Sequence, residues 1–257
     1  MTRVEEAIRA ARASKRPALS AFVTAGFPDR ASFPALLDDV ASVADLIEIG
    51  VPFSDPMADG VTIQRSSFAA LQAGVTLDWI LSVVAAARTK TPIILMSYLN
   101  PLLAMGIERL VSRSAEAGVA GFIVPDLPFE ECAPLRNACD DAGIALIQLV
   151  APATPHERRR LLCDESRGFV YAVTRNGTTG TGAAIDAQVR EFLQDVRRRS
   201  SLPVLAGFGV RDAAGFRAVS EHADGAIVGS ALIETLERGE DPVAFLKGLT
   251  DSRGMDR

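Results

Sequence analysis

The sequence is poor in the side chains that bind metals or act as nucleophiles. Its 257 residues include only two histidines and three cysteines. Cys132, Cys139 and Cys163 show no metal-ligand spacing and leave an odd thiol, so we interpret them as reduced packing residues. His156 and His222 lie far apart, each in a predicted helix, so a zinc site lacks its usual ligands. We therefore expect a site without a metal.

Excess positive charge and long apolar runs are missing as well. The formal net charge is -5 and the pI is about 5.2, which disfavours nucleic acid as the main partner because phosphate backbones select basic surfaces. No apolar run approaches the length of a membrane span, and the N-terminal segment predicts an amphipathic helix rather than a signal peptide. We expect a cytoplasmic protein with neither a nucleic-acid nor a membrane partner.

Apolar strand-like runs alternate with helical patterns along the chain. The runs lie at residues 18–24, 46–50, 93–97, 121–124, 144–150, 169–173, 203–207 and 225–228. Alternation of this kind is typical of a buried parallel sheet, and eight repeats indicate closure. We predict a single (β/α)₈ TIM barrel with an extra N-terminal helix, forming one domain over residues 1–257. An open doubly wound sheet is the alternative, but no GxGxxG follows the first strand.

Glu48 interrupts the second apolar run, and a loop with further acidic residues follows it. Residues 46–60 read LIEIGVPFSDPMADG and end with Asp59 near the loop terminus. Strand alternation places Glu48 on the face opposite to Ile47 and Ile49. Because a buried carboxyl group without a partner is costly, Glu48 is either a core residue satisfied by its neighbours or an acid/base with a tuned pKa. The spacing favours neither interpretation.

In a barrel of this kind, active groups gather at the C-terminal ends of the strands. The polar residues expected at those ends are Thr24, Glu48, Asp59, Tyr98, Asn100, Asp126, Gln148, Tyr171, Thr174 and Arg175. Both tyrosines of the chain are among them. A hydrogen-bonded core role is the alternative for each tyrosine.

Glycine clusters follow the last three predicted strands. They lie at residues 177–180, 207–209 and 229–230, and the last includes Ser230 at the start of a helical pattern. Free amides at a helix start, beside glycines that let an anion approach, form the phosphate site common in barrels. We predict a phosphate site there, with plain turn glycines as the alternative.

Carboxylates remain as the groups that can support carbon–carbon bond chemistry. None of the three lysines, Lys15, Lys90 and Lys247, follows a predicted strand, so a Schiff-base aldolase has no obvious amine. A zinc aldolase lacks its ligands. Proton transfer and electrostatic support remain, and Glu48 and Asp59 are the candidates for both.

A set of segments in order along the chain resembles the tryptophan synthase alpha subunit family. The segments are IEIGVPFSDP with the following ADG and TIQ, MSYLNP, VPDLP, the Gly-x-Thr-Gly loop after Tyr171, GFGV and VGSAL. The resemblance runs from the first strand to the last and implies a (β/α)₈ barrel that cleaves indole-3-glycerol phosphate to indole and glyceraldehyde 3-phosphate in tryptophan biosynthesis. It also implies that this chain needs no cofactor and joins a β subunit, which carries pyridoxal phosphate, in an α₂β₂ heterotetramer.

The resemblance implies roles for single residues. Glu48 matches the general acid/base, Asp59 the carboxylate that binds the indole N–H, and Tyr171 the tyrosine that orients the substrate. The other substrate-binding positions are Phe22, Tyr98 and Phe208 around the indole, Thr179 in the mobile loop, and Gly180, Gly209, Gly229 and Ser230 around the phosphate.

Residues 52–57, 100–101 and 126–128 match the face that meets the β subunit, which implies that Asp55 and Asp126 are interface residues rather than catalysts. The chain departs from the family pattern at two loops. Val61 stands where proline is frequent, which predicts a less rigid loop. Thr178 and Gly182 are also unusual, so the closure of their loop is expected to be looser or differently regulated.

Two other functions remain open at this point. One is a sugar-phosphate isomerase or epimerase, in which Glu48 moves a proton on a smaller substrate. The other is a subunit that mainly activates its partner or seals a channel and is sluggish by itself.

Overall fold

The structure is a computed structural model that describes residues 1–174, 185–207 and 209–250. Eight parallel strands pair in chain order and close into a barrel, with the last strand beside the first. The strands are β1 (Ala18–Thr24), β2 (Leu46–Gly50), β3 (Ile93–Met96), β4 (Val119–Ile123), β5 (Ala145–Val150), β6 (Val170–Val173), β7 (Val204–Gly207) and β8 (Gly225–Val228). The predicted TIM barrel is confirmed.

Helices surround the barrel and follow the strands. In the described part of the chain they are α1 (Arg3–Ala13), α2 (Phe33–Ala41), α3 (Val61–Gln72), α4 (Leu77–Ala86), α5 (Leu99–Met105), α6 (Ile107–Ala117), α7 (Ala133–Asp141), α8 (His156–Glu165), α9 (Ala187–Arg199), α10 (Ala213–Ser220), α11 (Ser230–Glu237) and α12 (Pro242–Thr250). A short 3₁₀ helix, Phe129–Glu131, precedes α7. Among the described residues, no single helix has the length and apolar composition to cross a membrane, and α3 and α4 reach those limits only together, across a 93° bend.

The core has an outer and an inner part, because successive strand residues face opposite sides. Ile47 and Ile49 of β2 pack in the outer core between the barrel and its helices. Leu46 of the same strand packs in the inner core, inside the barrel. The even-numbered face of β2, which carries Glu48, therefore points into the barrel.

The N-terminal helix closes the lower end of the barrel. Val4 and Ile8 of α1 are fully buried and belong to the inner core together with strand residues such as Leu46. Arg3 Nη2 donates a hydrogen bond to the carbonyl oxygen of Gly118, just before β4, at 2.9 Å. The extra helix is thus confirmed, and it leaves the C-terminal ends of the strands, here called the barrel mouth, as the open end.

The sequence-based prediction missed one helix, α5. Its first turn contains Pro101, and the amide of Leu99 donates to Oδ1 of Asp126 at 2.9 Å. Proline is tolerated in a first helical turn, where its missing N–H is not needed. The carboxylate that satisfies this helix start comes from the loop after β4, so the sequence around α5 does not reveal the helix.

Candidate active site

Glu48 lies inside the barrel and is completely buried. Its Oε1 accepts a hydrogen bond from Ser20 Oγ of the neighbouring strand β1 at 2.7 Å. Its Oε2 has no hydrogen-bond partner among the described residues. Burial raises the pKa of Glu48 to about 7, and the Ser20 hydroxyl acts in the opposite direction. A carboxyl group with one free oxygen and a pKa near neutrality is well placed to exchange protons.

Tyr171 of β6 faces the same interior. Its ring packs against the inner core, 6.2 Å from the ring of Phe169 between centroids. Its hydroxyl lies over Gly207 of β7, where a Cβ atom would come within 2.7 Å of the hydroxyl oxygen, so a glycine is needed there. Burial raises the pKa of Tyr171 well above 10, and the charges of Glu48 and Asp59 raise it further. Tyr171 therefore keeps its proton and acts as a hydrogen-bond donor.

Asp59 lies at the end of loop two, defined here as residues 51–60 between β2 and α3. Burial raises the pKa of Asp59 to about 6, and the Tyr98 hydroxyl acts in the opposite direction. Because Asp59 keeps part of its surface in solvent and Glu48 keeps none, Asp59 is the carboxylate that ionises first. Because their environments differ, Glu48 can act as an acid in the same site in which Asp59 is an anion.

Tyr98 holds loop two at the barrel mouth. Its hydroxyl oxygen accepts a hydrogen bond from the amide of Ala58 at 2.9 Å, one residue before Asp59. Its ring stacks on Phe53 at 5.1 Å between centroids. Gln64 Nε2 of α3 donates to the carbonyl oxygen of Asp59 at 2.9 Å. The loop is therefore fixed on both sides of the Asp59 side chain.

Asp59 and two aromatic side chains line a small cavity. It has a volume of about 20 Å³, and Phe22, Asp59, Met96 and Tyr98 are among the residues that line it. The ring of Phe22 lies against Gly50, where a Cβ atom would approach it to 2.5 Å. The cavity is large enough for a single water molecule. The described residues thus leave less space here than a bicyclic aromatic ring occupies.

Glycine-containing turns follow β7 and β8 at the mouth of the barrel. These strands are neighbours, with Gly207 paired to Ile227, so the turns that follow them lie side by side. Gly229 precedes α11, which begins at Ser230, and among the described residues no side-chain cap is formed at this helix start. Gly229 also lies beside the base of the Phe22 side chain, since a Cβ atom there would be 3.5 Å from the Cβ of Phe22. Uncapped first-turn amides and a hydroxyl group are suited to an anion.

Several polar residues predicted at the strand ends have other partners. Thr24 shares a 2.6 Å hydrogen bond with Ser66, and Thr174 Oγ1 donates to the carbonyl oxygen of Gly207 at 3.0 Å. Gln148 occupies the face of β5 that carries Leu146 and Val150 of the outer core, so its expected position at the mouth is wrong. Asp126 caps α5, as described above.

Three predicted substrate-binding residues, Thr179, Gly180 and Phe208, lie outside the described residues, as does Arg175. The structure brings the others to the inside or the mouth of the barrel: Phe22, Glu48, Asp59, Tyr98, Tyr171, Gly209, Gly229 and Ser230. Ser20 was missed by the sequence-based prediction. The sequence did contain a signal, since Ser20 is a polar residue within an apolar strand. Ser20 pairs with Leu46 of β2, two residues from Glu48.

Among the described residues, no group of three or more histidine, cysteine, aspartate or glutamate side chains is arranged to hold a metal ion. The three cysteines are buried and unpaired. Burial raises the pKa of the Cys139 thiol to about 12 and that of the Cys163 thiol to about 11. These thiols therefore stay protonated and unreactive at neutral pH.

The chain is similar to known proteins over almost its whole length. The family model of the tryptophan synthase alpha chain matches residues 8–251. The tryptophan synthase alpha chain of Desulfovibrio desulfuricans is 47% identical over 251 residues, covering 96% of this chain and 98% of that protein. That of Xanthomonas axonopodis pv. citri is 42% identical over 246 residues, covering 94% and 92%.

Solved structures share the fold of this chain. Tryptophan synthase from M. tuberculosis, in an aminoacrylate-bound form, matches with a TM-score of 0.88 and 34% identity over 97% of this chain and 98% of the other. Tryptophan synthase subunit alpha from Legionella pneumophila str. Paris matches with a TM-score of 0.87 and 32% identity over 97% of each chain. The similarity therefore includes the fold as well as the sequence.

The raised pKa of Glu48 predicts how stability depends on pH. Between pH 4.5 and about pH 7 the folded protein keeps a proton that the unfolded chain has released, so the free energy of unfolding falls as the pH rises through this interval. Glu48→Gln removes this dependence. The stability of the variant relative to the wild type should rise by about 3 kcal/mol across the interval and stay constant on either side.

Urea unfolding at a series of pH values measures this difference. Glu6→Gln, on the exposed face of α1, is the control for loss of a carboxyl group outside the barrel. A difference between wild type and Glu48→Gln that does not change with pH contradicts the predicted pKa shift.

Proposed function

The chain belongs to the tryptophan synthase alpha chain family, and from this membership we propose that it cleaves indole-3-glycerol phosphate to indole and glyceraldehyde 3-phosphate. The reaction is a retro-aldol cleavage by carboxylate acid/base catalysis. The observation that carries the proposal is the completely buried Glu48 carboxyl group, with one oxygen held by Ser20 and the other without a partner among the described residues. The chain needs no cofactor of its own in this scheme.

Glu48 moves the proton in both halves of the reaction. With a pKa of about 7, its acid and base forms are both populated near neutral pH. The acid form donates its proton to C3 of the indole, which converts the ring to an indolenine. The resulting carboxylate takes the proton of the C3′ hydroxyl as the bond between C3 and C3′ breaks. The bonding electrons return to the ring, and Glu48 recovers its proton.

Asp59 stabilises the charge that develops at the indole nitrogen. Protonation at C3 makes the ring electron-poor and its N–H more acidic, so a fixed anion at this position binds the intermediate better than the substrate. Its pKa of about 6 leaves Asp59 mainly ionised at neutral pH. Tyr171 keeps its proton and orients the substrate between the two carboxyl groups.

The phosphate of the substrate binds at the turns after β7 and β8 in this proposal. The uncapped amides of α11, Ser230 and the neighbouring Gly209 and Gly229 support it. Phe22 and Tyr98 hold the indole ring, next to Asp59. Phe208, Thr179 and Gly180 complete the site by family resemblance, and nothing in the described residues bears on their roles.

We also propose a β-subunit partner in an α₂β₂ heterotetramer that acts in the cytoplasm. The proposed face consists of residues 52–57, 100–101 and 126–128. Met57 in this face is 81% exposed, and Val61 and Phe68 of the adjoining α3 are 69% and 64% exposed. Clustered exposed apolar side chains are typical of surfaces that meet a partner. The whole chain is expected to fold as one domain.

An indole-release assay tests the proposed reaction. The purified full chain is given indole-3-glycerol phosphate with and without a β subunit. Glu48→Gln should lower kcat by about 100-fold or more while KM changes little, because binding survives and proton transfer does not. Glu6→Gln is the control and should release indole at the wild-type rate.

The same assay separates the alternatives. Unchanged turnover by Glu48→Gln contradicts the catalytic role. Turnover of phosphorylated sugars that lack an indole ring supports an isomerase or epimerase instead. Absence of indole release with and without the β subunit overturns the proposed reaction.

Ser230→Asp tests the phosphate site. An added negative charge at the first residue of α11 should repel the substrate phosphate and raise KM about tenfold or more. Ser201→Asp places the same charge before β7, at the opposite end of the barrel, and should leave KM unchanged. If both variants bind substrate equally well, the phosphate does not bind at α11.

A further inference from the structure

Glu234 of α11 makes contacts that the reaction scheme does not use. Its Oε1 accepts a hydrogen bond from Thr62 Oγ1 of α3 at 3.3 Å. Its Oε2 forms an ion pair with Arg211 Nη2 from the loop after β7. The Glu234 side chain is only 22% exposed, so it is largely enclosed between these partners. One carboxylate therefore joins three separate segments at the barrel mouth.

Each of the three segments carries part of the proposed site. Thr62 lies three residues after Asp59, Arg211 lies two residues after Gly209, and Glu234 lies four residues after Ser230 on the same helix. The first segment holds the proposed anion for the indole nitrogen. The other two hold the proposed phosphate-binding turns. Glu234 thus connects the two ends of the site.

Capping and apolar packing are limited at Gly60 and Val61, the two residues before Thr62. Gly60 precedes the helix without a side-chain cap, and the space beside its Cα is open. Val61 is 69% exposed, so apolar packing contributes little at this position. Other polar contacts near this segment are the bonds from Gln64 to Asp59 and from Ala58 to Tyr98, the bond from the Asp59 amide to Pro56, and the bond between Ser66 and Thr24. None of these four connects the segment with the phosphate-binding turns.

A second ion pair joins the same two helices one turn further along. Arg65 of α3 donates to both carboxylate oxygens of Glu237, at 3.1 and 2.8 Å. The Glu237 side chain is 27% exposed, close to the value for Glu234. This pair links α3 with α11 without a bond to Arg211 or Thr62, so Glu237 offers a matched control.

We propose that Glu234 is a positioning residue, which fixes Asp59 at a set distance from the phosphate-binding turns through Thr62 and Arg211. The inference deepens the proposed function and rests on it. When the phosphate of the substrate is bound at these turns, its indole nitrogen must lie next to Asp59. Small errors in that position lower the reaction rate rather than the affinity. The position of Asp59 then depends on Glu234, although the two side chains do not touch.

Steady-state cleavage by the full chain tests this role. Glu234→Ala should lower kcat about fivefold to tenfold with KM within about twofold of the wild type, because the phosphate turns still bind and only the aligned transition state is lost. Thr62→Val should have a similar effect, and Thr62→Val with Glu234→Ala should be no worse than Glu234→Ala alone. Glu234→Gln keeps an acceptor for Thr62 but loses the ion pair with Arg211, so it should recover only part of the loss.

Glu237→Ala is the matched control and should keep kcat within about twofold of the wild type. Thermal unfolding followed by circular dichroism checks that each variant is folded. Equal losses of kcat in Glu234→Ala and Glu237→Ala, or multiplied effects of the Thr62 and Glu234 changes, would overturn the positioning role.

A binding measurement separates this role from the cleavage reaction. By calorimetry, saturating inorganic phosphate should tighten the binding of indole to the wild type about threefold or more, since both ligands favour the same arrangement of α3 and α11. Glu234→Ala should abolish this coupling, and Glu237→Ala should keep it. Independent binding of the two ligands to the wild type would overturn the inference.

The cleavage and binding measurements distinguish failure of the proposed function from failure of the proposed role of Glu234. If the chain shows the coupling but does not cleave indole-3-glycerol phosphate, the proposed function fails and the role of Glu234 stands. If the chain cleaves the substrate and Glu234→Ala behaves as wild type in both assays, the role of Glu234 fails and the proposed function stands.

Discussion

The hydrogen bond between Ser20 and Glu48 is the interaction on which the proposed chemistry depends. It holds the inward-facing carboxyl group of Glu48 by one oxygen at 2.7 Å, and the other oxygen has no partner among the described residues. A buried carboxylate is costly, so the group favours its protonated form and its pKa rises to about 7. A second strong partner would satisfy the charge and return the pKa toward its usual value. The incomplete satisfaction of Glu48 is thus the property that suits it to proton transfer.

The barrel supplies the surroundings that make this position effective. Strand alternation sends Ile47 and Ile49 to the outer core and Glu48 inward, while α1 closes the opposite end of the barrel. The mouth is the open end of the described barrel, and loop two and the turns after β7 and β8 lie there. In the described structure the cavity beside Asp59 has a volume of about 20 Å³. Tyr98 holds loop two through Ala58, and Glu234 holds the first turn of α3, which follows the loop, through Thr62.

Much of this arrangement could be predicted from the sequence, and the failures have identifiable physical causes. The bounds of β1, β2 and β8 agree with the apolar runs, since both ends of those runs are marked by polar or turn residues. Strand β4 begins at Val119, two residues before its predicted start, because Gly118 ends α6 and the chain enters the strand at once. Helix α5, the Ser20 bond to Glu48 and the Glu234 contacts depend on partners from 23 to 172 residues away, and a local pattern carries no such information.

The protonation of Glu48 can be observed directly by a ¹³C NMR titration of carboxyl groups in the full chain, with the Glu48 resonance assigned by its loss in Glu48→Gln. The account predicts a titration midpoint near pH 7, where burial places the pKa of this group. A midpoint near 4.5, the ordinary value for glutamate, would mean that the carboxyl group is solvated or fully paired, and would contradict the central claim.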